Sequence, residues 1–192
     1  MSDPPDAPRS AERVARRAAP SRRGRRGVAV AAVALAAVGG WGALRFVAPR
    51  GPGTAPALDY GLIDGRRLGP DALAGKVLLV HFWATSCAVC VEEMPEWVAV
   101  YEAYRARGLE MIAVAMPYDR ADRVLRFVEG RALPFPVALD PMGRAVAAWG
   151  GIEGTPTTWL VAADGRVARR WVGRPDFARL RRDVEALLER RG

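Results

Sequence analysis

The chain has 192 residues, a formal net charge of +8 and 51% hydrophobic residues, with two cysteines and a single histidine. The charge sits at one end: residues 1–48 carry nine arginines against Asp3, Asp6 and Glu12, whereas the remainder is near balance at +2. That length allows one ordinary domain with an appendage, and a near-neutral body argues against the basic face that a nucleic-acid partner requires.

Residues 1–27 are rich in Arg, Pro and Ala without apolar periodicity, which predicts a disordered tail. Val28 to Leu44 contains no charge. As a helix it would be about 26 Å long, and about 31 Å if it continues to Ala48 with Arg45 snorkelling to the interface. Residues 28–48 are therefore expected to form a single transmembrane helix or uncleaved signal anchor. The arginine cluster precedes it, which places the N-terminus in the cytoplasm and the following domain outside. A cleaved signal (Ala32-Val33-Ala34 or Ala34-Leu35-Ala36 could serve a peptidase) or a twin-arginine signal at Ser21-Arg22-Arg23 remains open, with export in each case. Residues 49–57 read as a Pro/Gly linker, and the folded domain is expected over 58–192.

Within that domain, LDYGLIDGRRL predicts a short strand or hairpin about Asp64-Gly65. Pro70 opens a helical turn that Gly75 ends. KVLLVHFWA, Lys76 to Ala84, is a near-continuous apolar run, as in a strand buried on both faces. Cys87 to Arg107 predicts a helix with Met94, Trp97, Val98, Tyr101 and Tyr104 on its apolar positions, closed by Gly108. LEMIAVAM is a second buried strand. Asp119 to Glu129 predicts a helix with Val124, Leu125 and Val128 inward. LPFPVALD is a Pro-bracketed strand, and Pro141 to Trp149 a short helix stopped by Gly150-Gly151. TTWLVAA and RVARRWV about Asp164-Gly165 form a β-hairpin signal. Pro175 to Arg190 closes the chain as an amphipathic helix with Phe177, Leu180, Val184, Leu187 and Leu188 on one face. This order implies an α/β domain with parallel strand pairs first and an antiparallel hairpin last.

Both cysteines lie in WATSCAVC. Cys87 follows a buried strand and opens a helix, where free backbone N–H groups and the helix dipole favour a thiolate. Cys90 is less than one turn further, within bonding reach. The pair therefore reads as an exposed nucleophile, Cys87, and a buried resolving thiol, Cys90. A zinc site would need four ligands, and a second CxxC or paired histidine is missing from the sequence. A purely structural bridge over so small a loop would restrict the unfolded chain little. No metal or cofactor beyond the cysteine pair is expected.

HFWATSCAVCVEEMP, Phe135-Pro136-Val137-Ala138-Leu139-Asp140-Pro141 and Gly154-Thr155-Pro156-Thr157-Thr158-Trp159-Leu160-Val161 resemble the TlpA/ResA/CcmG group of membrane-tethered thiol–disulfide oxidoreductases of the bacterial envelope. The resemblance runs from about Leu58 to the C-terminus. It implies a thioredoxin-like fold (a central mixed β-sheet flanked by helices) preceded by the single membrane helix, with a redox-active Cys87–Cys90 disulfide. It further implies that Pro156 is a cis-proline facing the cysteines, that the Thr155 backbone pairs with substrate, that Trp83 packs beside the disulfide, and that Pro95 kinks the helix. Glu93, one turn after Cys90, corresponds to a glutamate that influences the proton chemistry of the pair in ResA-like proteins.

The chain departs from the group at Ala88-Val89 between the cysteines, at Ser86, and at His81. His81 takes the strand position of the buried aspartate of thioredoxin, and is expected either to accept the Cys90 proton or to be a hydrogen-bonded core residue. The resemblance implies reductase action on protein disulfides, with resupply by a transmembrane donor of the CcdA or DsbD kind and cytochrome c or other metalloprotein maturation as the setting. It places the protein as single-pass in the bacterial inner membrane, with its catalytic domain periplasmic. The alternatives are a net thiol oxidant or isomerase, a thiol peroxidase, whose Pro-xxx-Thr-xx-Cys pattern is missing around Cys87, and a non-catalytic binding module.

Overall fold

In the computed structural model the described residues run from 52 to 190. The expected tail at 1–27, the expected membrane helix at 28–48 and the start of the expected linker lie outside them. Among the described residues no helix is long and apolar enough to cross a membrane.

The elements follow the expected order: β1 (Tyr60–Gly61), β2 (Arg67–Leu68), α1 (Pro70–Leu73), β3 (Val77–Trp83), α2 (Ala88–Tyr104), a 3-10 turn (Arg105–Arg107), β4 (Leu109–Ala115), α3 (Ala121–Arg131), β5 (Val137–Leu139), α4 (Arg144–Ala148), β6 (Thr157–Val161), β7 (Val167–Val172) and α5 (Phe177–Glu189). The main sheet has the order β5-β4-β3-β6-β7. The first two pairings are parallel, as strand–helix–strand connections dictate, and the last two antiparallel. This is the thioredoxin-like mixed sheet.

β3 is the central strand because all seven of its residues are buried; a strand of uninterrupted apolar character has no face to offer water. Alternation sends Val77, Leu79 and Trp83 into one apolar layer with α2, α3 and α5, which contribute Met94, Trp97, Val124, Leu180 and Val184. Leu78, Val80 and Phe82 enter the opposite layer with Ile112, Val114, Trp149 and Trp159. His81 shares the side-chain parity of the first layer, so a wholly buried imidazole points at the helix that carries the cysteines.

Each sheet edge carries one short bridge from an N-terminal segment, which shortens the edge open to pairing. Leu62, beside the β1–β2 hairpin, bridges Ala138 at the β5 edge. At the β7 side Thr54 bridges Arg166, and Val167 N–H donates to Gly53 O at 3.0 Å. Residues 53–55, expected to be linker, are therefore hydrogen-bonded parts of the domain. Three further expectations shift. α3 starts at Ala121 rather than Asp119, and Leu125 is exposed while Phe127 packs inward. β5 keeps only three residues, since Pro134 and Pro136 have no N–H to give a ladder.

Candidate active site

The bend from β3 into α2 places the cysteines. Cys87 is the N-cap of α2, with extended φ and ψ of −90° and 104°, and its own N–H donates to Ala84 O at 3.1 Å. Cys90 N–H donates to Cys87 Sγ at 3.2 Å, the contact that a side-chain cap makes with an otherwise unpaired helix donor. Cys87 and Cys90 are joined as a disulfide with Cα atoms 5.3 Å apart. Cys87 is partly exposed and Cys90 wholly buried. An attacking group can reach the first sulfur and not the second, and on reduction the helix start would stabilise charge on the first.

The loop before the pair is held from outside. Asp119, after β4, accepts the Thr85 N–H and, at 2.7 Å, the Thr85 hydroxyl. Opposite lies Thr155-Pro156, whose peptide bond is cis. The Thr155 carbonyl oxygen is 3.6 Å from Cys87 Sγ. A bridged sulfur has no proton to donate, so this is packing in the oxidised state and becomes a possible S–H···O contact only after reduction. Pro156 is buried, and its carbonyl accepts the Gly173 N–H at 2.7 Å, tying the loop to the end of β7.

Trp83 is fully buried in the layer that holds Cys90, its ring 5.1 Å from Phe127. Beneath the cysteines lies a buried polar group that burial alone would discourage. His81 and Glu93 are both 0% exposed. His81 Nδ1 is 2.9 Å from Thr158 Oγ1, Trp97 Nε1–H donates to Glu93 Oε1 at 3.0 Å, and His81 Nε2 is 3.8 Å from that same Oε1. The His81 ring lies 4.8 Å from the Trp97 ring.

Burial pushes His81 down to about 3, so it is neutral at pH 7 and makes no ion pair. The Glu93 carboxyl is raised by burial, against the Trp97 hydrogen bond and the Arg174 charge, which both pull it down. With Thr158 on Nδ1, the other ring nitrogen lies nearest Glu93.

Thr158, Trp97, Thr85 and Asp119 were not singled out as site residues from sequence. Thr158 becomes visible once β6 is paired antiparallel to β3, where it stands directly opposite His81. Trp97 reads in sequence only as an apolar helix position, although its indole N–H donates to Glu93 Oε1. The Thr85–Asp119 contact crosses 34 residues and leaves no local trace. An apolar cleft of about 320 Å³ lined by residues such as Tyr60, Leu78 and Trp149 opens elsewhere and includes neither cysteine.

The family model described as Redoxin matches residues 53–188. Thiol-disulfide oxidoreductase ResA of Bacillus thuringiensis (strain Al Hakam) is 34% identical over 112 residues, 58% of this chain and 63% of the relative, so the match spans less than two thirds of that relative's length. The crystal structure of a thioredoxin-family thiol:disulfide interchange protein from Chlorobium tepidum TLS is 28% identical with a TM-score of 0.65, covering 71% of this chain and 97% of that one. The structure of MTB DsbF, in mixed oxidized and reduced forms, is 26% identical with a TM-score of 0.62, covering 70% and 99%.

Proposed function

This chain belongs to the Redoxin family, in its TlpA/ResA/CcmG-like group, and from that premise we propose that it is a thiol–disulfide oxidoreductase of the bacterial cell envelope that reduces disulfides in protein substrates. The observation that carries this reading is the bridged pair at the head of α2, its first sulfur reachable and its second buried, with the Thr155 carbonyl 3.6 Å from the first.

In the reduced protein the Cys87 thiolate attacks one sulfur of a substrate disulfide. A mixed disulfide forms and the other substrate sulfur leaves as a thiolate that takes up a proton. Cys90 gives up its proton and attacks Cys87 Sγ, expelling the second substrate sulfur. Two electrons have passed to substrate, and the protein is left in the bridged state. The half-buried Thr155 backbone beside Pro156 receives the substrate backbone, and Trp83 packs in the layer below. No cofactor besides the cysteines takes part.

An oxidising compartment requires a source of electrons, which a transmembrane dithiol donor of the CcdA or DsbD kind would supply. Residues 28–48 tether the protein in the inner membrane with the domain in the periplasm, a reading supported by the eight arginines that precede residue 28. Cysteines of apocytochrome c, or of another metalloprotein under assembly, are the substrate class.

Trapping tests this directly. Cys90→Ala should accumulate mixed disulfides through Cys87 and stop turnover in an insulin-reduction assay, and mass spectrometry of the adducts would identify the substrate. Adducts recovered from Cys87→Ala instead would reverse the assignment of nucleophile, and absence of adducts from either variant would overturn the exchange reading. A full-length species in the membrane fraction is expected; a shortened soluble one would replace the tether with a cleaved signal.

A further inference from the structure

Among the buried polar atoms without a hydrogen-bond partner in the described residues, two belong to neighbouring side chains beneath the cysteines: His81 Nε2 and Glu93 Oε2. Their other atoms are occupied. His81 Nδ1 is engaged with Thr158 Oγ1 and Glu93 Oε1 accepts from Trp97, so both rings and the carboxyl are held in place. A buried polar atom left unpaired costs the desolvation of that group with nothing in return. A single proton on Glu93 Oε2, donated to His81 Nε2, would satisfy both atoms at once. The reach is short, since Nε2 already lies 3.8 Å from the other oxygen of the same carboxyl.

We infer that His81 and Glu93 form a one-proton dyad, with Glu93 Oε2–H donating to His81 Nε2 and His81 Nδ1–H donating to Thr158 Oγ1. His81 is thereby the positioning residue that keeps Glu93 in its acid form beside Cys90. This rests on the exchange chemistry proposed above. Glu93 follows Cys90 by three positions, on the same buried side of α2. When a donor thiolate attacks Cys87 Sγ, the Cys87–Cys90 bond breaks and Cys90 Sγ leaves with the bonding pair. The Glu93 proton passes to that sulfur, and the carboxylate is reprotonated from water. The reverse step returns the Cys90 proton to the ionised carboxylate as the bond to Cys87 forms. Neither direction leaves charge standing on the buried sulfur.

The surroundings bear this out electrostatically. Burial acts on both members toward their neutral forms, lowering the imidazole and raising the carboxyl. Arg174, exposed in the loop after β7, is the charged group that acts on Glu93. From α5, Phe177 packs on Trp97 at 4.9 Å, while the charged side chains Arg181, Asp183 and Glu185 are engaged with Glu96, Arg169 and Tyr104. β4 offers the apolar Met111 and Ala113, and α3 Val124 and Phe127.

Two measurements decide it, both on full-length protein. Because His81 is the single histidine, its ring nitrogens can be read without ambiguity by 15N NMR. The oxidised protein should show a neutral ring protonated at Nδ1 and bare at Nε2 throughout about pH 5–8; an Nε2–H tautomer or a charged ring overturns the dyad. In a Cys87→Ser background, the Cys90 midpoint is followed by ultraviolet thiolate absorbance. His81→Ala removes the acceptor and opens room for water, so Glu93 ionises and the Cys90 midpoint should rise by about one pH unit. His81→Gln, whose amide oxygen can accept from Glu93, should restore at least half of that shift. A midpoint unmoved or lowered by His81→Ala, or unrestored by Gln, overturns the proposal; if the Ala variant does not fold, the NMR result stands alone. Neither readout uses turnover, so the dyad and the exchange reading fail separately.

Discussion

The two faces of the main sheet solve the same problem differently. On the face carrying Trp149 and Trp159, the polar handle of Trp149 is paired: its Nε1–H donates to Tyr60 at 2.9 Å, and burial keeps that phenol neutral by pushing it up to about 12. On the face carrying the cysteines, His81 Nε2, Trp83 Nε1 and Glu93 Oε2 are buried without hydrogen-bond partners; on the other, Trp159 Nε1 also lacks one, and the Arg170 guanidinium lies over the Trp159 ring at 4.9 Å. Both faces are densely apolar, so the contrast is not one of packing. A layer whose polar handles are held by a tryptophan–tyrosine hydrogen bond and by ring contacts is a structural core. A layer that keeps unmatched atoms around a thiol pair holds them where protons must come and go, and tolerates their cost for that reason.

The largest effect expected from this contrast is at Trp149. Trp149→Ala should lower unfolding free energy by about 3–5 kcal/mol at any pH, and leave the Tyr60 hydroxyl without its donor. Chemical denaturation measures the loss. The pH profile of disulfide exchange by the remaining folded protein should match wild type; a displaced profile would mean the two faces are coupled, and would break the comparison.

On the cysteine face the signature is pH dependence rather than depth of stability. His81 is pushed from 6.5 to about 3 by burial. The unfolded chain therefore binds a proton that the folded protein refuses, and stability falls as pH drops below about 6.5. By pH 4.5 this single group should cost on the order of 2–3 kcal/mol, and His81→Gln should abolish that slope whatever it does to packing. Glu93 runs the other way. Its folded carboxyl is raised above its unfolded value of 4.5, so stability is greatest below that value and declines as pH climbs through the folded value. Glu93→Gln should flatten that decline. Denaturant midpoints across the pH range test both; parallel curves for all three proteins would remove the electrostatic half of the comparison.

Between the faces, the clamp from Asp119 to Thr85 should matter less. Asp119→Ala removes the acceptor of two donors that are only partly buried, for a loss of about 1–2 kcal/mol. Cys87 alkylation should change more than Cys90 alkylation, since the loop freed by the substitution precedes Cys87.

Much of this could be read from the chain before any geometry. The uninterrupted run of β3, the cap position of Cys87 and the hairpin around Asp164-Gly165 are local signals, and local signals survive in sequence. The cis bond at Pro156 followed from resemblance rather than from pattern. What escaped was register and long reach. Nothing near His81 announces Thr158, because the two meet only after β6 pairs with β3 across 77 residues. Sequence alone leaves His81 as either a proton acceptor for Cys90 or a hydrogen-bonded core residue; the fold puts Thr158 on one nitrogen and sets the other 3.8 Å from Glu93. The start of α3 was misplaced by two residues for a related cause. Asp119 looks like a helix-capping acid, yet its carboxylate is already engaged by Thr85, and the cap falls to Arg120 without a side-chain bond.

The far end of α3 supplies the smallest effect and a control for both faces. In Glu129-Gly130-Arg131-Ala132, the sequence invites a stop at Gly130, but the helix runs through it and ends at Ala132, with φ of 48°. Leu133 N–H bonds Val128 O at 3.3 Å and Ala132 N–H bonds Glu129 O at 3.2 Å, the closing pattern that normally places glycine in the left-handed position. Glycine and alanine are thus two places apart from where backbone preference would put them. Ala132→Gly relieves the left-handed Cβ, and Gly130→Ala removes a flexible helix residue at a site where an added Cβ meets nothing within 4 Å. Each should raise stability by about 0.5–1 kcal/mol, and the two should nearly add, since one acts on the helical stretch and the other on its cap. Thermal unfolding reads the gain. Exchange activity should be unchanged, because this end of the helix touches neither the matched core nor the unmatched layer. A stabilised double variant with altered exchange would mean that rigidity anywhere in the domain tunes the cysteines, and the division between the two faces would lose its meaning.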